Sequence, residues 1–337
     1  MKTTFATLGV CVVAALGVVA ACGGDDGGAG DPDGGTAGDG GLSSRWAAAG
    51  AIPGGPIQET AAVALDGKLW VLGGLTSFTD HSARVWVFDT AASTWAAGPD
   101  LPARIHHANA AVVGASIYVV GALGAGFAAS GTVWRHTPGV DAGWVTRTSM
   151  PAGTQRGASI TGVIDDKIYV AGGFRGNAAV ADVSAYDPQL DSWDDSVADL
   201  ASARDHGCGG VVGGKLYVAG GRMASIGSTT GTLFELTPGI PWVARAPMPT
   251  GRGGTACGVI DGRLIVVGGE GNPDATSGVF PHNEAYTAAT DSWQTLEPMR
   301  TPRHGMQAAV WGGVLYVPAG ATMQALGAVD THETFTP

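Results

Sequence analysis

Short apolar runs recur along the chain at a nearly constant interval, and each begins just after a turn-forming pair. The six copies lie at 68–74, 116–122, 167–173, 215–221, 263–269 and 313–320. Their central large residues are Trp70, Tyr118, Tyr169, Tyr217, Ile265 and Tyr316. The steps between these residues are 48, 51, 48, 48 and 51. A sustained period of about 50 residues is typical of repeat folds and predicts one structural unit per period.

Two further markers share this period. A tryptophan recurs at Trp46, Trp95, Trp144, Trp193, Trp242 and Trp293, with spacings of 49, 49, 49, 49 and 51. A two-residue turn precedes each apolar run, and four of the six turns are Asp-Gly or Gly-Gly. Because these pairs tolerate a positive φ, they predict tight β-hairpins.

The third period divides into four short segments, at 158–164, 167–171, 182–186 and 192–194, which we label strands A to D. Each is bounded by Gly, Pro, Asp or Ser, and none has a helical period. Four antiparallel strands per period predict the blade of a β-propeller. Six B strands therefore predict an all-β, six-bladed propeller.

The two ends of the repeat region are predicted to share one blade. The last repeat ends after its strand C, at 329–335, and has no tryptophan, whereas Trp46 precedes the first B strand. Residues 44–48 should therefore supply strand D of the sixth blade and pair with 333–336. This closure would cover strand edges that otherwise stay open.

Several motifs in this frame resemble the Kelch-repeat family. They are the diglycine after strand B, the aromatic residue three positions before it, Tyr186-Asp187, the strand D tryptophan, and Met248-Pro249 followed by Arg252. The resemblance covers residues 43–337 and implies four-stranded Kelch blades. Repeats two and six depart from the diglycine, with Gly121-Ala122 and Ala319-Gly320.

The N-terminus predicts export. An apolar run follows Lys2 and is shorter than a membrane-spanning helix, so residues 1–21 are interpreted as a signal peptide. The sequence Val19-Ala20-Ala21-Cys22 resembles the lipobox of bacterial lipoproteins, which implies lipid attachment at Cys22 and a place in the cell envelope. Residues 22–41 are a Gly/Asp-rich flexible linker, and 42–337 are the propeller domain.

Composition restricts the partners. The chain has 18 Lys+Arg against 29 Asp+Glu, a net charge of −11, and this acidic balance argues against nucleic-acid binding. A monomer that reaches the membrane only through its lipid is expected. Cys208 and Cys257 lie 49 residues apart, and free buried thiols are favoured over a disulfide.

A four-stranded meander places the B–C loops and the D-to-A connections on one rim, which we call the loop rim. Loops on a rigid scaffold commonly carry binding residues. Arginines repeat at this rim, and we interpret them as a ligand-binding ring around the channel mouth: Arg104, Arg156, Arg204, Arg252 and Arg303, with Arg175 and Arg222 beside them. Arginine binds carboxylates and phosphates in a bidentate manner. The alternative is a structural role, in which these side chains bridge blades through backbone carbonyls.

Histidines follow these arginines at His106, His107, His206 and His304. A shared axial metal is not expected, because the channel should be too wide and the arginines would repel a cation. No cofactor is expected either. The main hypothesis is a binding module for a protein or glycan with anionic groups.

The alternative hypothesis is an enzyme, a six-bladed Kelch mutarotase or epimerase acting on an acidic sugar resembling sialic acid. In that reading Arg204 or Arg252 would hold the carboxylate, and Glu59, Glu270 or His206 would move protons. No nucleophile elbow, HExxH or phosphate-binding loop supports a catalytic assignment.

Overall fold

The computed structural model describes residues 45–337, which form an all-β, six-bladed propeller of four-stranded antiparallel sheets. The predicted signal peptide, the linker and Cys22 lie outside the described residues. Among residues 45–337, no helix has the length and apolar character needed to span a bilayer.

The first three blades follow the chain in A-B-C-D order. Blade one contains β2 (Ala61–Leu65), β3 (Lys68–Leu72), β6 (Val85–Asp89) and β7 (Thr94–Ala97). Its B–C loop carries a small hairpin of β4 (Leu75–Ser77) and β5 (Asp80–His81). Blade two contains β8 (Ala110–Val113), β9 (Ser116–Leu123), β10 (Ala129–His136) and β11 (Val145–Thr146), with a 3₁₀ turn at Ala125–Phe127. Blade three contains β12 (Ile160–Ile164), β13 (Lys167–Arg175), β14 (Ala178–Asp187) and β15 (Ser192–Asp194).

The next two blades keep this order, and the sixth closes the ring. Blade four contains β16 (Cys208–Val212), β17 (Lys215–Ala219), β18 (Leu233–Leu236) and β19 (Val243–Arg245). Blade five contains β20 (Ala256–Ile260), β21 (Arg263–Val267), β22 (Asn283–Thr287) and β23 (Ser292–Thr295). Blade six contains β24 (Ala309–Trp311), β25 (Val314–Pro318), β26 (His332–Phe335) and β1 (Trp46–Ala48).

The predicted closure of blade six is confirmed. Strand β1 pairs with β26 in the register Trp46↔Phe335, Ala47↔Thr334 and Ala48↔Glu333. The rings of Trp46 and Phe335 lie 5.0 Å apart, and Trp46 is 2% exposed. Burial of these two aromatic side chains joins the head of the propeller to its tail.

The strand D tryptophans connect neighbouring blades. Each indole Nε1 donates to a backbone carbonyl of the preceding blade or of the connection that leaves it; Trp95 bonds Gly50 at 3.1 Å and Trp242 bonds Ala198 at 2.7 Å. Trp46 completes the circle by donating to the Glu297 carbonyl at 3.0 Å. The first strands of adjacent blades contact one another around the axis.

The diglycine does not end strand B in the third blade, and this corrects the predicted boundaries. Strand β13 continues through Gly172-Gly173 to Arg175, and β14 begins at Ala178. Most of the segment between the predicted strands B (167–171) and C (182–186) is therefore a hairpin. The ladder shifts register between Ala171 and Gly173. Both glycines have positive φ, at 61° and 123°, so the pair forms a bulge within the strand.

Candidate functional site

Four of the seven arginines predicted to bind a ligand are enclosed within their own blades. Arg156, Arg204, Arg252 and Arg303 are each 0% exposed. The pattern is clearest in Arg252, whose Nε donates to Gly268 O at 2.7 Å and whose terminal nitrogens bond Val266 O and the Glu284 carboxylate. The structure therefore corrects their placement, because these guanidinium groups satisfy backbone carbonyls and do not line the channel mouth.

The backbone of these arginines also explains the diglycine. The carbonyl of Arg204 accepts the N–H of Gly173 in the preceding blade at 2.8 Å. A Cβ on Gly172 would lie 2.5 Å from the same oxygen. The first glycine is therefore required by the close approach of the next blade, and the arginine ties together strands of its own blade.

Arg104 is one position out of phase with the other four. The position equivalent to Arg204 in blade two is Ile105, whose carbonyl accepts the N–H of Gly74 at 2.9 Å. The side chain of Arg104 is 71% exposed and pairs with Asp80 at 3.2 Å. Of the five repeating arginines, it is the one that reaches solvent at the loop rim.

The two remaining arginines are paired with carboxylates. Arg175 contacts Asp182 at 2.6 Å, and its side chain is 29% exposed. Arg222 is more enclosed, with its side chain 14% exposed, and it bridges Asp205 at 3.0 Å and Glu270 at 2.7 Å.

One residue from each blade forms a closed ring of backbone hydrogen bonds around the axis, which we call the axial ring. Its members are Glu59, His107, Ala158, His206, Gly254 and Gly305. Each N–H donates to the carbonyl of the member in the preceding blade, at 2.5 to 3.0 Å. All six have positive φ. The sequence contained a signal for this ring, since its members are spaced 48, 51, 48, 48 and 51, the same steps as strand B.

Three side chains of this ring meet on the axis, and we call them the axial cluster: Glu59, His107 and His206. Glu59 Oε2 lies 3.1 Å from His107 Nε2 and 3.9 Å from His206 Nε2. The two imidazole centroids are 4.7 Å apart. The expectation that the channel is too wide for imidazoles to meet is wrong, because the axial ring draws the blades together at this level.

Charged groups surround the cluster on the side of blades four to six. Asp205 Oδ1 contacts His206 Nδ1 at 2.5 Å, and Glu270 Oε2 lies 3.5 Å from His304 Nδ1. Burial alone would raise the pKa of Asp205, but His206 and the Arg222 guanidinium outweigh burial and lower it. Burial lowers the pKa of His106 to about 4 and that of His107 well below its ordinary value, so both rings are neutral at pH 7.

The space beside these groups is small. The cavity lined by the axial ring has a volume of about 40 Å³, and a second one along the inner strands has about 180 Å³. Pockets for small organic ligands usually exceed roughly 300 Å³. Arg204 and Arg252 lie inside their blades and Glu270 is 0% exposed, so the residues assigned to sugar isomerisation do not share an open pocket.

Both remaining cysteines are free thiols. Sγ of Cys257 donates to Gly209 O at 3.3 Å, and burial raises the pKa of Cys257 well above its ordinary value. The pair serves packing between blades four and five.

The structure is a six-bladed propeller, a fold that is consistent with a binding module. Comparison with known proteins identifies the type of repeat from which it is built. The Kelch motif matches residues 58–102 and 161–195. A Kelch-like protein of Aspergillus terreus, terF, is 32% identical over 302 residues, covering 84% of this chain and 65% of its own. Kelch-like protein 36 of Bos taurus is 27% identical over 253 residues, covering 73% of this chain and 39% of its own. These findings support assignment of the chain to the Kelch-repeat family.

The chain spans less than two thirds of the length of each of these relatives. A solved structure of YjhT superposes with a TM-score of 0.69 at 18% identity, covering 82% of this chain and 94% of that one. At this identity the likeness concerns the fold alone.

Proposed function

We propose that the propeller is a protein-binding module whose ligand docks on the loop rim. This proposal rests on large apolar side chains that are exposed at the loop rim, on the B–C loops of blades one, four and six. Phe78 is 52% exposed, Met223 45% and Met323 48%. Aromatic and methionine side chains are enriched at protein interfaces, and methionine adapts to varied partners.

An aromatic line extends this surface across neighbouring blades. The ring of Phe127 lies 6.2 Å from Phe78 and 6.5 Å from Phe174, so the three blades present linked aromatic groups. The opposite rim also exposes apolar residues, which include Val140, Leu190 and Ile240 on C–D turns and Trp311 beside an A–B turn. These four lie on four different blades, and isolated apolar residues are ordinary on a protein surface.

The ligand segment carries carboxylates beside its apolar residues. Arg104 stands next to this surface in an ion pair with Asp80, whose side chain is 62% exposed. An exposed pair of this kind stabilises the fold by roughly 0–1 kcal/mol, so the guanidinium is available to a ligand carboxylate. A relative in Homo sapiens, 40% identical over 76 residues, is named influenza virus NS1A-binding protein, which supports a protein as the ligand class.

The test is a comparison of two triple variants. Peptides are selected from a random displayed library against the wild type, and their affinity is measured by fluorescence anisotropy. We expect Phe78→Ala, Met223→Ala and Met323→Ala together to weaken binding by about tenfold or more, equivalent to about 1.4 kcal/mol. The matched control combines Val140→Ala, Leu190→Ala and Ile240→Ala on the opposite rim and should bind as the wild type does. Equal loss in both variants would contradict the proposal.

We also propose that the module is held at the cell envelope by lipid on Cys22, as the lipobox resemblance implies. Growth with a clickable fatty acid should label the wild type and place it in the membrane fraction. Cys22→Ala should abolish both. Cys11→Ala is the control, because Cys11 lies within the predicted signal peptide and its loss should leave labelling intact. Label retained in Cys22→Ala would exclude this anchor.

A further inference from the structure

The axial cluster gathers three ligand-type atoms from blades that are not all adjacent. Glu59 comes from blade one, His107 from blade two and His206 from blade four. One oxygen and two nitrogens of these residues lie within 4.8 Å of one another. The other members of the axial ring, Ala158, Gly254 and Gly305, are too small to fill the space between them. The three side chains of the axial cluster are enclosed: that of Glu59 is 11% exposed, that of His107 4% and that of His206 5%.

Hydrogen bonding directs a lone pair of His107 towards Glu59. His106 Nε2 lies 3.0 Å from the Gly124 carbonyl, which only accepts, so this nitrogen carries the proton. His106 Nδ1 then has a lone pair, and it contacts His107 Nδ1. His107 therefore carries its proton on Nδ1. Its Nε2 lone pair faces the Glu59 carboxylate at 3.1 Å, an arrangement of two acceptors that repel unless a cation or a proton lies between them.

His206 is oriented in the same way by a carboxylate. Asp205 Oδ1 lies 2.5 Å from Nδ1, which assigns the proton there and leaves Nε2 as the acceptor facing Glu59. Arg222 is the competitor for this lone pair, because one of its terminal nitrogens contacts Nδ1 and lies 2.5 Å from Nε2. The other two nitrogens of the guanidinium group pair with carboxylates, Nε with Asp205 at 3.0 Å and the second terminal nitrogen with Glu270 at 2.7 Å.

Three enclosed carboxylates lie at or beside the cluster, those of Glu59, Asp205 and Glu270. The Arg222 guanidinium pairs with Asp205 and Glu270, whereas Glu59 faces the two imidazoles. Enclosed carboxylates in proteins are commonly paired with a cationic group or coordinate a metal.

We propose that Glu59, His107 and His206 form a divalent metal site on the propeller axis. Two imidazole nitrogens and one carboxylate oxygen suit a first-row transition ion, and Zn²⁺ fits best because three such ligands with an open position form common zinc sites. The adjoining cavity of about 40 Å³ has room for the ion and a coordinated water. The ion would join three blades at the level of the axial ring.

This site is independent of the proposed docking surface, so either proposal can fail alone. The measurement is metal binding to the full chain, purified without a histidine tag and stripped with chelator. We expect one Zn²⁺ per chain by elemental analysis after dialysis, and a visible Co²⁺ absorption band of a nitrogen-ligated site. Zn²⁺ should raise the melting temperature, because it binds the folded state selectively.

Substitutions assign the site. Glu59→Gln and His107→Gln should each weaken Zn²⁺ binding by about 100-fold or more, and Asp205→Asn by about 10–100-fold because it only orients a ligand. His282→Gln is the matched control, a histidine outside the cluster, and should bind as the wild type does. Circular dichroism checks that each variant is folded.

A measurement on the wild type removes dependence on variant folding. In ¹⁵N-imidazole spectra, Zn²⁺ should shift Nε2 of His107 and His206 and leave His136 and His282 in place. Absence of stoichiometric Zn²⁺ in the wild type would overturn the proposal, and a proton shared with Glu59 would then explain the geometry. Binding retained in both Glu59→Gln and His107→Gln would place the metal elsewhere and would equally overturn it.

Discussion

Arg303 donates to Thr301 O at 3.1 Å in the connection before β24 and directs its other hydrogen bonds into the sixth blade. Its Nε donates to Ala319 O at 2.9 Å, one terminal nitrogen donates to Val317 O, and the other contacts Glu333 at 2.7 Å. The Glu333 side chain is itself 6% exposed. The arginine thus holds two strands together and neutralises an enclosed acid.

Arg303→Gln should therefore destabilise the protein strongly. Removal of one partner leaves the Glu333 charge enclosed without its cation, a loss of about 3–5 kcal/mol in free energy of unfolding. Urea denaturation measures it. Arg104→Gln breaks the exposed pair with Asp80 and should cost about 1 kcal/mol or less. Similar losses in the two variants would show that the distinction between enclosed and exposed arginines is wrong.

His332 makes the stability depend on pH. It is 2% exposed, and burial together with Arg303 lowers its pKa to about 3, from an ordinary 6.5. Because the unfolded chain takes up this proton near pH 6.5 and the folded chain only near pH 3, protonation favours unfolding. The contribution is fully present above pH 6.5 and is lost as the pH falls towards 3.

We expect His332 to contribute a loss of about 1.4 kcal/mol for each pH unit in this window. The comparison is urea denaturation of the wild type and His332→Phe at several values between pH 6.5 and pH 4. The variant keeps an aromatic ring beside Phe88 and Tyr316 but cannot titrate, so its stability should fall less steeply. Parallel slopes would exclude His332 as the source.

The arginine repeat shows what can be predicted at the residue scale. Arg156, Arg204, Arg252 and Arg303 each bond a carbonyl 16 residues later. Gly121 is the equivalent carbonyl position in blade two, and 16 residues before it lies Ile105. The sequence therefore already indicated that Arg104 does not occupy the position of the other four arginines. The burial of these side chains could not be predicted, because a long flexible cation reaches solvent or backbone depending on how the blades pack.

At the element scale, turn chemistry was the most reliable signal. The A–B turns lie where Asp-Gly and Gly-Gly predict them, and Asp66 and Asp261 adopt the positive φ that such turns require. Asp165 and Asp166 adopt positive φ in the third turn, which lacks glycine. The end of strand B was less predictable, because a diglycine is found both where a strand ends and where another backbone approaches closely. Only the position of the next blade distinguishes these two cases, and the residues of that blade are distant in sequence.

Strand β1 is short, and we expect Trp46 to provide most of the free energy that holds this strand in the sixth blade. Trp46→Ala should cost about 3–5 kcal/mol, because it removes a buried indole that packs on Phe335. Trp95→Ala, at the equivalent position of a covalently continuous blade and only partly buried, should cost less. Chemical denaturation followed by circular dichroism compares them. A larger loss for Trp95 would contradict the view that closure depends on Trp46.

At the scale of the whole molecule, the axial ring unites all six blades through backbone alone. Blade number and closure followed from sequence periodicity, because repeated markers report the architecture directly. The axial cluster could not be predicted in this way, because nothing in a single repeat indicates how close to the axis the blades approach one another. Glu59 and His206 are 147 residues apart and come from blades one and four, so they meet only when the ring of blades is closed.

Gly305 tests the packing of this ring. Its φ is +64°, and a Cβ there would lie 2.6 Å from Glu59 Oε1. Gly305→Ala should therefore lower the stability by about 1–3 kcal/mol, through backbone strain and displacement of the carboxylate. Ala158→Gly is the matched control at another ring position that also has positive φ, and it should change the stability by less than about 1 kcal/mol. Thermal denaturation reports both, and an unchanged Gly305→Ala would contradict this packing.

The N–H of Thr336 donates to the carbonyl of Arg45 at 2.9 Å, so the two ends of the described chain are neighbours. A circular arrangement of this kind has no privileged starting blade. We expect a permuted gene, with residue 337 spliced to residue 45 by a short linker and new termini cut between Gly213 and Gly214, to yield the same propeller. All four strands of its sixth blade would then follow one another along the chain, and blade four would instead be assembled from the two ends of the chain.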